Sequence, residues 1–573
     1  MIKKQIILLP AILTTLALAI TGCVSDYADP YPLLGSKTDQ ESRTIPVFPM
    51  NMVGEAEAAP QADTDDDLGI PNLLRRDESY EMRGIDLREV RDSIVNNNLG
   101  LRSDRYSAAA TAEQIGTEQG RFAAVLGVKG GFSKSVNSAT SVVSPSGSIV
   151  NQSPGLTTDL TLPLATGGSL ELSSKIYEYR QNSKNIDTLS GPPSSSGAFN
   201  SLVLSASQPL LRGAGTTVAL APIVLADYEA RQSSANVTIS LLSTLSQAEV
   251  QYWQTWVSGK VMEIRETSRD LAVDQLELTE SLLAKGQATI VDVEVARASV
   301  FSQIQQMVQA EQNFVVTALD LQTTLNMPDL PLDGTVLVLP DEEPSLPTIS
   351  YELPELLALA LDNRLELLQL ELEVASDVLQ IDVARNGTLP QFDIGGEFGV
   401  TGITAGGPSQ AIKDSFDGSQ PFPWSIGFTG SVNLDNQSAD STLRAAVLDR
   451  LSSIADLGSQ KLTIKNDVLT AVANLRVAET QIRLSQRSAI AYQQAYDGTV
   501  QLFKLGQQDA NDVANALENL AQALSGVVTQ YGAYQEAVVQ LAAATGTNLG
   551  MNGIEWDLPT GGSGSAGTGS SEN

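Results

Sequence analysis

Two long blocks without proline constrain the fold of this chain more than any other feature of its sequence. They cover residues 223–327 and 424–558, and each is interrupted by one short phrase, GQATIVDV at 286–293 and GQQDANDV at 506–513. Because proline ends or kinks a helix, each block predicts a helix of roughly 60 residues before its phrase, about 90 Å long, and a second helix after it. Helices of this length are far longer than those of compact globular domains.

The helix predicted after the first phrase has an apolar seam. Its apolar residues recur at steps of three, four and seven, which is the spacing of a helix packed along neighbouring helices. They are Val293, Ala296, Val300, Ile304, Met307, Phe314, Ala318, Leu321 and Leu325. Before the phrase, Trp253 and Trp256 are predicted to pack between helices rather than to bind a ligand.

The two phrases belong to a longer internal repeat. Their shared residues lie 506 − 286 = 220 positions apart, and a second set of matches upstream has the offset 363 − 97 = 266. The upstream pairs are Asn97 with Asn363, Leu99 with Leu365, Leu101 with Leu367, Ala109 with Ala375, Ile115 with Ile381, Gly130 with Gly396 and Phe132 with Phe398. The body is therefore predicted to be two copies of one unit, with about 266 − 220 = 46 extra residues between the helices of the first copy.

Short runs with partial apolar alternation predict strands between these helices. They are bounded by Gly, Ser, Asn and Pro, and they lie at 125–133, 160–164, 170–176 and 202–207 in the first copy and at 392–400 and 426–432 in the second. Each unit is thus predicted as helix, strands, long helix, turn and helix. This makes the chain a mixed α and β protein with one copy at 84–334 and the other at 350–550.

Charge and composition exclude several functions. The formal charge of −32 would repel the phosphates of nucleic acid, so no nucleic-acid partner is expected. The absence of histidine excludes Ser-His and Cys-His nucleophile systems and any metal site that contains histidine. Paired carboxylates can hydrolyse glycosides, but nothing in the sequence marks one pair out. The chain is therefore predicted not to be an enzyme and to need no cofactor or metal.

The N-terminus has the residue pattern of a secretory signal. Two lysines precede an apolar run at 6–20, and small residues lead to Cys23, the one cysteine of the chain. Ile20-Thr21-Gly22-Cys23 resembles a bacterial lipobox, which implies a signal peptide at 1–22 and acylation of Cys23, with palmitate among the acyl groups. Val24 stands where an Asp would imply retention in the inner membrane. The alternatives are an ordinary signal peptide with an incidental cysteine and a membrane-spanning anchor.

The segments that flank the body lack folding signals. Residues 23–83 are rich in proline and acidic residues and predict an extended tether, and residues 551–573 predict a flexible tail. No stretch after the signal has about 18 consecutive apolar residues, so a membrane would have to be crossed by strands.

Four motifs in the doubled unit resemble the outer-membrane efflux protein family of the TolC type. SQPLLRGAG (207–215) resembles the family's strand-to-helix exit, and NRLELLQLELEVASDVLQIDVARNGTLPQFDIGGEFG (363–399) resembles its helix-to-strand transition. LAKGQATIVDVEVARAS (283–299) and LFKLGQQDANDVANALE (502–518) resemble its two periplasmic helical turns. The resemblance covers about residues 85–550.

The resemblance implies an assembly of three copies. Their strands would close one β-barrel in the outer membrane of a Gram-negative bacterium, and their long helices would continue it as a periplasmic α-helical barrel. Such a protein is a passive exit channel of a tripartite efflux or type I secretion system. Its partners would be outer-membrane lipid, a periplasmic adaptor protein and the inner-membrane transporter that drives export. The alternative is a lipid-anchored helical scaffold or adhesin without a pore.

The resemblance also implies roles for individual residues. The periplasmic constriction is assigned to Asp292, Asp509, Asp512 and Asn515, although the carboxylates also fit a simple role in capping helix N-termini. The helical turns are assigned to Gly286 and Gly506. The strand-to-helix exit is assigned to Gln208, Pro209, Arg212 and Gly213.

One segment departs from the family pattern of two strands per repeat. LTLPLATGGSLELSSKI (160–176) has Gly167-Gly168 at its centre and predicts an additional hairpin. The sequence leaves open whether this hairpin adds strands to the barrel or lies outside it.

Overall fold

A computed structural model describes residues 80–141, 144–184, 195–346, 352–418 and 422–548. The chain divides into two units, Met1–Arg76 and Asp77–Asn573, and all described residues belong to the second. The predicted signal peptide, Cys23, the tail and most of the tether lie outside the described residues. The first strand begins at Glu81, so regular structure starts before the predicted end of the tether at residue 83.

The described residues form helices and strands in the predicted alternation. The helices are α1 (Leu87–Asn97), α2 (Leu99–Gly120), α3 (Thr216–Ala219), α4 (Ala221–Ala284), α5 (Ile290–Leu325), α6 (Leu353–Asn363), α7 (Leu365–Gly387), α8 (Pro408–Phe416), α9 (Gln437–Lys504) and α10 (Ala510–Thr545). The strands are β1 (Glu81–Ile85), β2 (Val125–Ser141), β3 (Ser144–Pro163), β4 (Ser169–Lys184), β5 (Ser195–Pro209), β6 (Val336–Pro340), β7 (Gln391–Thr404) and β8 (Trp424–Ser431).

The two long helices predicted from the proline-free blocks are confirmed. Helix α4 has 64 residues and α9 has 68, which corresponds to about 100 Å each. Each ends just before its phrase, and a shorter helix of 36 residues returns alongside it. All nine residues of the predicted seam on α5 are buried, so the seam is confirmed as well.

Two hydrophobic cores hold the helices together in the described residues. The first lies between α1, α2, α4, α5 and the parallel strand pair β1–β6, and it includes Trp253 and Trp256. Their ring centroids are 6.4 Å apart with an edge-on arrangement, so the predicted packing role of both residues is confirmed. The second core lies between α6, α7, α9 and α10.

The predicted strands belong to one antiparallel sheet of six strands, in the order β2-β3-β4-β5-β7-β8. They are longer than the sequence predicted. The additional hairpin is β3–β4, with 20 and 16 residues, and it lies inside this sheet between β2 and β5. These two strands and their turn account for most of the 46 extra residues expected in the first copy.

The strand register gives the sheet two chemically different faces. Residues paired across strands share a face, and the faces alternate along each strand. One row across all six strands is entirely apolar: Leu126, Leu160, Leu172, Leu204, Phe398 and Trp424. The adjacent row, on the opposite face, is Val125, Thr161, Glu171, Ser205, Glu397 and Ser425. We call these the apolar face and the polar face of the sheet.

The apolar row is exposed in the single chain, and farther along β5 the same face is covered by α8, where the Asn200 amide donates to the Ser415 hydroxyl at 2.8 Å. The residues of the row retain between 39% (Leu172) and 74% (Trp424) of their accessible surface. No helix in the described part of the chain is both long and apolar enough to cross a membrane.

Candidate functional site

The predicted turns between the long and short helices are built by glycine. Gly286 has a φ of 72°, its N–H donates to the carbonyl oxygen of Leu283 at 2.9 Å, and the N–H of Gln287 donates to that of Leu282 at 2.9 Å. Gly506, with a φ of 70°, has the same two bonds in the second turn. This is the helix-ending arrangement that requires a left-handed residue. We call residues 285–293 and 505–513 the two hairpin tips.

Both short helices begin with a reciprocal cap. The hydroxyl of Thr289 accepts from the N–H of Asp292 at 3.2 Å, and the Asp292 carboxylate accepts from the N–H and the hydroxyl of Thr289 at 2.8 and 2.7 Å. In the second tip, the Asp509 carboxylate accepts from the N–H of Asp512 at 3.0 Å, and the Asp512 carboxylate accepts from that of Asp509 at 3.4 Å. The carboxylates therefore cap helices, which was one of the two roles expected for them.

The cap also sets the charge state of one carboxylate. The hydroxyl and then the N–H of Thr289 hold the pKa of Asp292 below its usual value, and partial burial opposes this shift. The N–H of Ala510, in the other tip, lowers the pKa of Asp292 further. Asp292 is therefore a carboxylate anion at neutral pH.

The tips expose both acidic and apolar side chains. Asp509, Asp512 and Asn515 are exposed, so the structure brings these three predicted residues to the same end of the helices as Asp292. Large apolar residues beside them are also exposed, namely Ile290 (61%), Val291 (66%) and Leu505 (71%).

A carboxylate network that the sequence did not reveal joins the two helical hairpins. Glu518 on α10 accepts from Gln303 and Gln306 of α5 at 3.1 and 3.0 Å, and it lies 3.3 Å from the guanidinium of Arg265 on α4. Burial raises the pKa of Glu518, but hydrogen bonds from these glutamines and from Gln522, together with Arg265, outweigh burial and lower it. No local motif indicates this network, because its members are far apart in the sequence.

The predicted strand-to-helix exit fixes the turn of the β3–β4 hairpin. The side-chain amide of Gln208 donates to the carbonyl oxygens of Thr166 and Pro209 at 3.0 and 2.9 Å, and the Thr166 hydroxyl donates to Gln208 Oε1 at 2.6 Å. The N–H of Gly215 also donates to the Thr166 carbonyl oxygen at 3.1 Å. The exit is thus bound to the end of the hairpin that lies nearest the helices.

The same exit contacts the helix-to-strand transition of the second copy. Arg212 donates to Gln391 Oε1 at 3.1 Å, and the N–H of Gly213 donates to Asn386 Oδ1 at 2.7 Å. The Asn386 amide in turn donates to the carbonyl oxygen of Leu211 at 3.2 Å. These contacts give the predicted exit residues a structural place at the boundary between sheet and helices.

Part of the sequence matches a known protein family. Residues 356–547 match the family described as outer membrane efflux protein. The resemblance predicted from the four motifs is therefore confirmed. No curated protein matches the sequence significantly.

Several solved structures share the fold. The outer-membrane channel OprN is 15% identical with a TM-score of 0.59, and the match covers 81% of this chain and 90% of that one. The CmeC outer membrane channel of Campylobacter jejuni is 14% identical with a TM-score of 0.58, covering 80% and 85%. The outer membrane protein VceC of Vibrio cholerae is 14% identical with a TM-score of 0.58, covering 80% and 96%.

The family match lies within the second copy, and the chain shares the fold of these structures over 80–81% of its length.

Proposed function

We propose that three copies of this chain form the exit channel of a tripartite efflux or type I secretion system. The channel is a passive duct, and export is driven by an inner-membrane transporter joined to it through a periplasmic adaptor protein. The acyl chains on Cys23 anchor each copy to the outer membrane. The observation that carries the proposal is the sheet, which has one apolar and one polar face, with the apolar row exposed in the single chain.

A sheet with these faces suits the wall of a membrane channel. Strands of such a wall alternate between apolar residues toward lipid and polar residues toward the lumen. Strands β2 and β8 end the six-stranded sheet, and each has one edge unpaired within it. A bilayer offers no partner for these backbone groups, so the edges must pair with other copies to close a barrel.

Helix α9 offers a second surface for contact between copies. Three sides of its first turns can be distinguished from helical periodicity and exposure. One side faces α7 of its own chain, and a second side is polar and exposed, with Ser452, Asp456 and Thr463. The third side is an exposed apolar stripe that comprises Val447, Leu448, Leu451 and Ile454. An exposed stripe of this kind supports packing against a neighbouring copy.

The hairpin tips form the periplasmic end of the duct. Asp292, Asp509 and Asp512 narrow the pore with negative charge and favour cations, and Asn515 lies at the same level. The exposed apolar residues of the tips, Ile290, Val291 and Leu505, give the adaptor protein a surface to contact.

Single-channel conductance in a planar bilayer under a salt gradient tests this function. The parent is expected to give small, cation-selective steps, and an Asp292→Ala/Asp512→Ala variant larger and less selective ones. An Asp292→Asn/Asp512→Asn variant is the matched comparison, because Asn removes the charge but keeps a side-chain oxygen that can cap the helix.

The two variants separate constriction from capping. If negative charge at the pore limits conductance, the Asn and Ala variants both conduct more than the parent. If the effect comes from loss of the helix cap, only the Ala variant differs from the parent. If folded trimers insert but the parent and both variants never conduct, the channel function is wrong and a lipid-anchored scaffold is the better account.

A further inference from the structure

We infer that the β3–β4 hairpin is part of the membrane-spanning wall, so that three copies form a barrel of eighteen strands. The two strands per repeat usual for the family would give twelve. This inference rests on the proposed function, since it concerns the wall of the same channel. It concerns the width of the outer-membrane segment and therefore the size of solute that this segment can pass.

The hairpin is integrated into the hydrogen bonding of the sheet. Leu160 on β3 pairs with Leu126 on β2 and with Leu172 on β4, and Leu172 pairs with Leu204 on β5. In this sheet β2 and β5 are not neighbours, because the hairpin lies between them. A hairpin outside the wall would require both ladders to break and β2 to pair anew with β5.

The hairpin has the same two faces as the other strands. Leu160, Leu162, Leu170 and Leu172 lie on the apolar face, and each keeps between 36% and 40% of its accessible surface. Between them, Thr161 and Glu171 lie on the polar face. A hairpin in water gains nothing from four leucines on one open face, whereas a hairpin in lipid requires them.

The hairpin extends to the end of the sheet that lies nearest the helices, which we call the base of the sheet. Its turn contacts the exit loop after β5, where the N–H of Gly215 donates to the carbonyl oxygen of Thr166. A Cβ on Gly167 would lie 2.2 Å from the carbonyl oxygen of Gly213, so only glycine permits this approach. The turn therefore lies level with the last residues of β5, and β3 and β4 have the height of the wall.

A wall of eighteen strands sets the width of the duct. Barrel diameter grows roughly linearly with strand number, so eighteen strands give a barrel about 1.5 times as wide as twelve, in the range that leaves an aqueous channel. The inner face is polar and carries both signs of charge, for example Lys129 and Asp159, 3.7 Å apart. Such a lumen accommodates large hydrated solutes and leaves any selection to the hairpin tips.

Cysteine substitutions in neighbouring rows test the inference in the full-length protein in outer membranes. The probe is a charged maleimide that cannot enter lipid, and the parent, whose one cysteine is acylated, gives the background. Thr161→Cys and Glu171→Cys are expected to label several-fold more than Leu160→Cys and Leu172→Cys. Glu397→Cys and Phe398→Cys on β7 are the matched controls, because they occupy the same two rows.

The controls separate the two hypotheses. If β7 alternates but β3 and β4 label equally on both faces, the hairpin lies outside the wall and the inference is wrong while the channel function stands. If β7 does not alternate either, the proposed channel fails and the inference with it.

A second measurement avoids substitutions that disturb folding. An electron microscopy map of the unmodified protein in lipid nanodiscs is expected to show eighteen strands around the barrel. A barrel of twelve strands overturns the inference.

Discussion

The long helices of the two halves of the chain have nearly the same length but very different surroundings. Buried residues occur along α4 from Ala221 to Leu282, whereas α9 has none before Ile464. Helix α4 is covered within its own chain by α2, α5, α7 and α10, but most side chains in the first turns of α9 are exposed. The long helix of the first copy is thus covered within its own chain, and the start of α9 leaves a surface that the proposed neighbouring copy would cover.

The strongest test of this difference is to charge the apolar stripe of α9. Leu448→Lys/Leu451→Lys is expected to abolish trimers and conductance, because two ammonium groups would be buried without partners between copies. Mass measurement in mild detergent checks the result. Ser452→Lys/Thr463→Lys adds the same charge on the polar side of the helix and is expected to leave trimers intact. Trimers in the leucine variant would show that copies meet elsewhere.

The cores of the two halves are expected to be equally sensitive to truncation. Phe314 on α5 and Tyr534 on α10 are related by the offset of 220, and both are buried. Phe314→Ala and Tyr534→Ala should each lower the free energy of unfolding by about 3–5 kcal/mol through the cavity they leave. Thermal unfolding followed by helical circular dichroism compares them, with exposed Gln312→Ala as the control. A much smaller effect at Tyr534 would show that the two cores are not equivalent.

Substitution of the two tip glycines should lower stability equally, and by less than truncation of the cores. Gly286→Ala and Gly506→Ala each place a Cβ in open space, but at a positive φ, so the cost of about 1 kcal/mol is conformational alone. Thermal midpoints of the two variants should therefore agree. Gly498→Ala within α9 also meets no neighbouring atom, but there alanine favours the helix, and the midpoint should rise instead.

The smallest effect concerns the pH dependence of the first cap. A carboxylate with a lowered pKa stabilises the folded state above its ordinary pKa and loses this contribution as the pH falls through the folded value. The first turn of α5, capped by Asp292, should therefore open in acid below the ordinary pKa of 3.8. Hydrogen exchange, corrected for intrinsic rates, follows the amides of this turn. Asp292→Asn should remove the pH dependence, and an unchanged profile would contradict the role of the cap.

The long helices, the strands and the tips could be predicted because their signals are local. Absence of proline, heptad-like spacing and the phrase around each glycine are readable in one stretch of chain, as are the Thr289–Asp292 and Asp509–Asp512 caps. Other elements also have local signals. Pro408 stands at the first turn of α8, where its ring suits a helix start. The apolar run of β6 follows a turn with Gly334 at a φ of 78°.

Features that depend on distant pairing could not be predicted. The sequence indicated a hairpin at 160–176, but its place in the sheet depends on which strands flank it, and no local pattern specifies them. Likewise Arg265 and Glu518 are 253 residues apart, so nothing in either neighbourhood marks their contact. The opposite faces of the sheet emerge only when the register of all six strands is known.

The turn of the β3–β4 hairpin at the base of the sheet has an evolutionary consequence. An insertion into such a wall must return the chain to the base of the sheet, because the next long helix starts there. Only an insertion with an even number of strands does so. Relatives that assemble as three copies would therefore differ in barrel size by multiples of six strands, and a single short insertion would be enough to move a lineage from one size to the next.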